Sequence, residues 1–489
     1  MRQRFELAPG LNVTPIEKVC LPLKSRDELP PILAALQWIF THPELNPKIF
    51  DLLEKKILAD KKATGRTGMD LWHILVLGVV RLGLDVDWDR LEYLANYDTL
   101  LRQILGVSET PWGAQAKRFH RQTLRDNAAL VDEPLLQQIN ALVAAAGRAV
   151  FKKKDGDSLE PLQIKVDTYV LETDVHFPTD LNLLFDAGRK CLDLIEKYRD
   201  QGGYELPGWR KLAAWQRRLK AAERQASKVV FGGGKDKDKR VRVVVSEYLS
   251  TGRELCAKVT ASLLSLCDQA VAQADWDQLA YFEQMLRKHL DLVDRRLLQG
   301  QRIPASEKVY SLFEPHTEWI AKGKLHPSVE LGHRLLIATD QHELIQHYAT
   351  PTGADVDQSV PVADRLLGRY GSAQIASLSF DKGFTRAVDR ELIGLYIPQV
   401  IMPKRGKKTA AETALEHARR FVELRRAHSA VESDINSLEH HGLNRCLDQG
   451  LAGFQRYAGY GVLAYNLHVI GRRLLVQQRM AAEAVALTA

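Results

Sequence analysis

The run "LQIKV" at 162–166 alternates apolar and polar residues, the signature of a half-buried β-strand, and the alternation does not return until residue 329. A strand needs neighbours to hydrogen-bond with, so this one must pair with segments much later in the chain. "VELGHRLLIAT" and "HELIQHYAT" (329–350) are two period-2 runs flanking a turn, which predicts a hairpin. "VPVADRLLGRYG" predicts a short helix ending at Gly371, "IASLSFDKGF" a third apolar strand, "RAVDRELIGLYI" a helix and "QVIMP" a further strand. Helical periodicity covers Thr409 to about Glu439 and Leu451 to about Met480. The intervening block, 186–309, is also helical: the hinge "FGGGKDKDKR" separates an amphipathic, strongly basic segment from one or two long helices. It reads as a helical hairpin inserted into another domain. The expected class is α/β with large helical parts: a mixed-sheet core drawn from 160–185 and 310–480, interrupted by that insertion.

Residues 1–150 predict an all-α domain. Thr67 or Asp70 is placed to cap the apolar run "LWHILVLGVVRLGL", Asp87 the next helix and Asp98 the one after, which stops at Gly106. Three short helices with tight breaks fit a helix-turn-helix-like DNA-binding domain, and fit a plain bundle equally well. The apolar run contains His73 and Arg81 and is too short to cross a bilayer, so no membrane partner is expected. "FKKKDGDSLEP" (151–161) reads as a linker. The 489 residues suggest two to four domains, and a net charge of +7 favours an anionic partner without demanding one. Cys20, Cys191, Cys256, Cys267 and Cys446 form no CxxC pair, and "MRQRFELAPG" lacks the apolar segment of a signal peptide. Both point to a reducing, cytoplasmic location.

The chemistry begins with Asp167, which follows Val166 inside the apolar strand, and with Asp381, which ends another strand and is followed by Lys382 and Gly383. Burying a carboxylate is costly unless it is paired, protonated or holding a cation. Two such strands side by side would add like-charge repulsion, which a divalent metal removes. Hard oxygen ligands suit Mg²⁺ or Mn²⁺. A third ligand is expected from a helix over the same sheet edge: Glu432, which shares a helical face with Arg425, Ser429 and Asn436. Ala427, Val431, Ile435 and Leu438 form an anchoring stripe on another face. Two cations so held would activate a water and stabilise the leaving oxygen of a phosphoryl displacement. DNA is the expected substrate, its phosphates met by Lys382, Lys404, Arg405, Lys407, Lys408, Arg425 and Arg426. Asn436 lies on the same helical face as Glu432. His428, one turn before Glu432, is placed to orient it, to touch a phosphate or simply to face solvent.

"VDTYVLETDVHFPTD", "IPASEKVYSLFEPHTEWIAKGK", "SFDKGF" and "RRAHSAVESDINSLEHHGLNRC" resemble, in that order, blocks of bacterial insertion-sequence transposases of the ISNCY group, from about residue 60 to about 475. The resemblance implies a DDE transposase with an RNase H-like core, in which the acids fall on Asp167, Asp381 and Glu432. It implies two Mg²⁺ or Mn²⁺ ions, strand cleavage and strand transfer at terminal inverted repeats, a homodimer on DNA and a nucleoid-associated life in the cytoplasm. The chain departs from related transposases at two places: a lysine seven residues after the glutamate is replaced by Glu439, and a tyrosine seven before it by Arg425. His440, His441 or Arg445 is then left to make the lysine's phosphate contact. Two other readings compete: a catalytically inactive DNA-binding regulator derived from a transposase, which needs the basic surface but not the acids, and a helical interaction scaffold.

Rival residues exist. Asp174 and Asp180 compete with Asp167, although Pro178 ends the strand before Asp180. Asp340, Asp355, Asp357 and Asp364 compete with Asp381, but Asp340 reads as turn chemistry and Asp355 and Asp357 as loop residues. His326, His333, His342 and His347 match no zinc spacing. Trp319, near Lys322 and Lys324, is either a core residue or a base-stacking one. Neither a phosphate loop of the GxxxxGK[ST] type nor a GxSxG motif occurs.

Overall fold

The computed structural model describes the chain except for residues 1, 9–11, 60–67, 114–115, 153–157, 322–327 and 489. Thr67, Lys322, Lys324 and His326 lie outside the described residues. The chain divides into two compact units, 1–174 with 320–489, and 175–319. The second is wider at both ends than the 186–309 segment marked by helical periodicity.

The first unit begins with seven helices: α1 (Leu29–Thr41), α2 (Leu45–Ile57), α3 (Leu71–Gly83), α4 (Trp88–Tyr97), α5 (Thr99–Ile104), α6 (Arg121–Ala128) and α7 (Glu133–Gly147). Asp87 and Asp98 do cap α4 and α5, accepting from the backbone N–H groups of Arg90 and Leu101. Asp70 precedes α3 but makes no capping bond. Every residue of α3 is buried, as an all-round apolar helix requires. Arg81, near its end, is neutralised by Asp448, with guanidinium–carboxylate distances of 2.7 and 3.0 Å, and lies 4.0 Å over Trp88.

The sheet has seven strands. β1 (Leu162–Thr173) is its centre. Later in the chain come β2 (Glu318–Ala321), the hairpin β3 (Val329–Thr339) and β4 (Ile345–Ala349), then β5 (Ile375–Phe380), β6 (Gln399–Ile401) and β7 (Arg445–Cys446). β3 is antiparallel to β1 and to β4, while β5 is parallel to β1 and to β6. The sheet is therefore mixed and the class is α/β. The helix between β4 and β5 is α12 (Ser359–Tyr370), ended by Gly371 at a left-handed φ of 74°. That between β5 and β6 is α13 (Ala387–Gly394).

Period-2 alternation sends the two sides of β1 into different cores. Leu162, Ile164 and Val166 pack with Leu336, Ala338, Leu366, Leu378 and Phe384. Tyr169 and Leu171 join a larger core that includes residues of α1–α7 and of the long C-terminal helix α17 (Gly450–Thr488). The first 150 residues thus share their core with the sheet and with a helix that starts 300 residues later.

Where one helical period was read over 409–439, the chain forms three helices, α14 (Ala410–His417), α15 (Arg419–His428) and α16 (Ala430–Leu438). The breaks fall at Ala418, which is extended, and at Ser429. The second unit holds α8 (Asp180–Asp200), α9 (Leu212–Phe231), α10 (Lys237–Cys267) and α11 (Gln273–Val293), around a core that includes Leu184, Cys191, Leu219, Tyr248 and Leu286. The glycine-rich hinge separates α9 from α10. A Cβ at Gly188 would stand 2.8 Å from Leu219, so glycine is what lets α9 approach α8 this closely. No described helix is long and apolar enough to cross a membrane.

Candidate active site

Strand register brings the first two acids together. β1 and β5 run parallel with Val166 opposite Phe380, and the next residue on each chain is an aspartate, Asp167 and Asp381. β5 pairing stops there, and β7 rejoins the same edge of β1 only at Glu172 and Thr173. Among the described residues, 167–171 have no strand partner on that edge, while β3 holds the other edge throughout. The gap between β5 and β7 is the candidate site.

Asp167 is its floor. The Thr168 backbone N–H donates to Oδ1 at 2.7 Å. Burial nevertheless raises the carboxyl's pKa to about 7, against that hydrogen bond, and the charges of Asp381, Asp355 and Glu432 push in the same direction as burial. Three acids, each remote in sequence, therefore stand close enough for Asp167 to feel them. Asp381 and Glu432 are exposed at the rim. Asp355 is half-buried; it accepts from the Thr168 hydroxyl at 3.0 Å, and the Arg334 Nε lies 3.5 Å from the same oxygen. By sequence alone Asp355 reads as a loop residue. The short turn carrying it, Asp355–Asp357, precedes α12 and sits by the turn that follows Asp381: a Cβ at Gly383 would be 3.3 Å from Asp355 Oδ2 and 3.6 Å from Arg405.

The helix bearing Glu432 is anchored by Val431 and Leu438, both fully buried, with Ile435 packed beside them. Ala427 does not join this stripe: it lies on α15, before the break at Ser429, and is exposed. A polar pair does what Ala427 was expected to do. Asp434, buried on the anchoring face, accepts from Lys165 Nζ at 3.3 Å and from the Thr339 hydroxyl at 2.7 Å. Lys165 is two residues before Asp167 and Asp434 two after Glu432, so one buried ion pair ties the floor of the site to the helix above it. The signal was available: Asp434 is spaced three from Val431 and four from Leu438, a carboxylate inside an apolar stripe.

His428 is not a solvent-facing histidine. Its Nδ1 lies 3.0 Å from the Ser379 hydroxyl, and its buried Nε2 has no hydrogen-bond partner among the described residues. Burial lowers its pKa to about 4, opposed by Asp381 and assisted by Lys165. It is therefore neutral at pH 7.

The cationic rim divides into two groups. Lys382, Arg405, Lys407 and Arg426 are exposed, as is Asn436. Lys404 binds Glu412 at 2.8 and 2.9 Å, Lys408 binds Glu416 at 2.6 Å, and Arg425 stands 3.8 Å from Glu416. Of the residues left to replace the missing lysine, His441 is 3.3 Å from Glu28, Arg445 is 3.3 Å from Glu172, and His440 is exposed.

The rivals go elsewhere. Asp174 faces Arg445 and Asp180 faces Arg296. Asp340 is fully buried in the hairpin turn, where it accepts from the backbone of His342 and Leu344. Asp357 pairs with Arg386, and Asp364 is exposed on α12. His333 packs against Phe454, His342 stacks on Phe151, and His347 is buried, its pKa lowered to about 3 by burial and then by Arg369 and Arg365. Trp319 is 39% exposed, with Phe177 and Tyr310 each 5.5 Å away, so it is a surface aromatic and not a core residue.

An all-carboxylate set fits a hard divalent cation in its donor chemistry, and Asp167 carries the like-charge penalty that such an ion offsets. Among the described residues no group of three or more His, Cys, Asp and Glu side chains is arranged so that it could hold a metal ion. The four acids are thus near one another but not drawn in. No protein-family model matches the chain, and no curated protein or solved structure matches it.

Proposed function

We propose that this chain is a DDE-type DNA transposase with an RNase H-like core, which cuts DNA at the ends of an insertion sequence and joins the freed 3′-hydroxyl to target DNA. The observation that carries the reading is the charge environment of Asp167: a largely buried carboxyl, raised to about 7, that feels Asp381, Asp355 and Glu432 from three separate elements. The mixed sheet, with a parallel strand ending in an acid beside its central strand, supports the same reading.

Asp167, Asp381 and Glu432 would hold two Mg²⁺ or Mn²⁺ ions, with Asp355 beside them. Bound there, the ions would supply a nucleophilic water at neutral pH and stabilise charge on the leaving oxygen. The chain's own residues set the conditions. Without a cation Asp167 keeps its proton up to about pH 7, so an ion binding there would displace that proton and bind more tightly as pH rises. Lys165 and Asp434 fix Glu432 over the strand. His428, neutral, holds Ser379 at the end of β5. Lys382, Arg405, Lys407 and Arg426 are exposed and would meet phosphates, and Asn436 can donate to one. Because α3 is buried on all sides, any recognition of element ends by the N-terminal helices falls to others, such as α4 with its exposed Tyr93 and Tyr97. Two ends handled together call for a dimer on DNA.

The test is cleavage of a supercoiled plasmid carrying the flanking DNA of the gene, with Mg²⁺ or Mn²⁺. Wild type is expected to nick or linearise it, while Asp167→Asn binds the DNA and leaves it intact. Cutting that survives Asp167→Asn rejects the assignment. A second reading, DNA binding without catalysis, is favoured by one observation: the acids are not gathered into a ligating group. Plasmid binding with no cutting by wild type in either metal would decide for it.

A further inference from the structure

The net charge of +7 is not spread over the molecule. Residues 210–242 contain twelve Lys and Arg against three Asp and Glu, a net of nine positive charges, so the rest of the chain is acidic by two. The basic bias belongs to one helix, the two residues that lead into it, the hinge after it and the first turns of the next helix.

Packing sorts those charges. α9 buries Leu212, Leu219 and Ala226 in the core of the second unit. Arg217, Lys220, Arg224 and Lys228, spaced three, four and four residues apart, are left on one exposed face. At ~1.5 Å per residue the stripe is about 16 Å long. None of the four meets a carboxylate among the described residues, whereas the neighbouring Arg218 is held 2.7 Å from Glu254. Like charges at these spacings repel. A folded helix that keeps four of them in a row is preset for a polyanion.

We propose that this stripe docks the phosphate backbone of double-stranded DNA without reading its sequence. A membrane surface fits poorly, because such helices bury their apolar side in lipid, and here that side is already the protein's own core. The stripe ends at Phe231, an exposed aromatic three residues beyond Lys228 on the same face, so an acidic protein partner is the alternative that the polyglutamate arm of the test below decides. The choice of DNA over other polyanions rests on the reading of the chain as a transposase, but the test does not involve the carboxylate site.

The experiment uses the full chain in EDTA, with a labelled duplex of random sequence, and measures affinity across a range of NaCl concentrations. Changing Arg217, Lys220, Arg224 and Lys228 to Gln is expected to reduce the slope of log affinity against log salt by about 3–4 and to weaken low-salt binding more than ~10-fold. Changing Lys18, Lys24, Lys48 and Lys55 to Gln removes the same charge from the other unit and is expected to leave the slope near wild type. A thermal melt confirms that each variant is folded. The proposal is overturned by an unchanged slope in the first variant, by equal losses in both, or by a loss seen with polyglutamate and not with DNA. Because no metal is present, these outcomes leave the cleavage reading standing, and failure of cleavage leaves this one standing.

Discussion

Two carboxylates sit on the same side of the sheet in opposite circumstances. Asp434 is 3% exposed and has what a buried acid needs: the Lys165 ammonium at 3.3 Å and the Thr339 hydroxyl at 2.7 Å. Asp167, two residues along the strand from that same lysine, has a backbone N–H and three acids. The fold therefore supplies a cation to one carboxylate and surrounds the other with like charge. The first arrangement stabilises a structure. The second costs stability, and such costs concentrate where a protein does chemistry.

The contrast can be broken in several ways. The largest expected effect is on activity: Asp167→Asn should lower DNA cutting by more than ~100-fold, the scale of losing a group that stabilises reacting charge, in a protein that still folds and melts cooperatively. Stability should respond at the other acid. Asp434→Ala strands Lys165 in the interior and is expected to cost about 3–5 kcal/mol by chemical denaturation. Replacing both partners, Lys165→Met with Asp434→Leu, should recover most of that loss, since a buried pair is often no better than an apolar one. If the double variant is as unstable as the single, the pair is not isolated as described.

A smaller effect, of opposite sign, is expected from Asp167→Asn on stability. The folded pKa of Asp167 lies above its unfolded value, so the native state holds the proton more tightly and stability falls as pH rises from about 4 to 7. Above that window the full penalty is present. The asparagine variant should be more stable than wild type at pH 8, by ~1–3 kcal/mol, and equal to it near pH 4. A gain that is the same at both pH values would mean that it does not come from the charge. The smallest effect belongs to the surface: Lys404→Gln, which breaks a half-exposed pair with Glu412, should change stability by less than about 1 kcal/mol.

Much of this could be read from the sequence because it depends on local pattern. Alternation marked β1, the β3–β4 hairpin and β5, and Asp87 and Asp98 signalled their helices by ordinary capping chemistry. Asp167 and Asp381 stood out as acids on apolar strands, and register then set them on adjacent positions of neighbouring strands. What was missed depends on tertiary contacts. Asp355 looks like any turn aspartate until the chain folds it against Thr168 and Gly383. Lys165 read as the solvent side of an alternating strand, yet α16 covers it. Helical period continues unbroken through Ala418 and Ser429 although the helix does not. The two residues of β7 are too few to show any alternation.

Asp167 and its three acidic neighbours are proposed to form one cation site. It is tested most directly by calorimetric titration of Mn²⁺ into wild type and Asp167→Asn, both at pH 7 in buffers of different ionisation enthalpy. Binding to wild type with release of a proton, and loss of both in the variant, is the result expected from a carboxyl that is half-protonated until the metal arrives. Equal binding by the two proteins, or binding with no proton released, would contradict it.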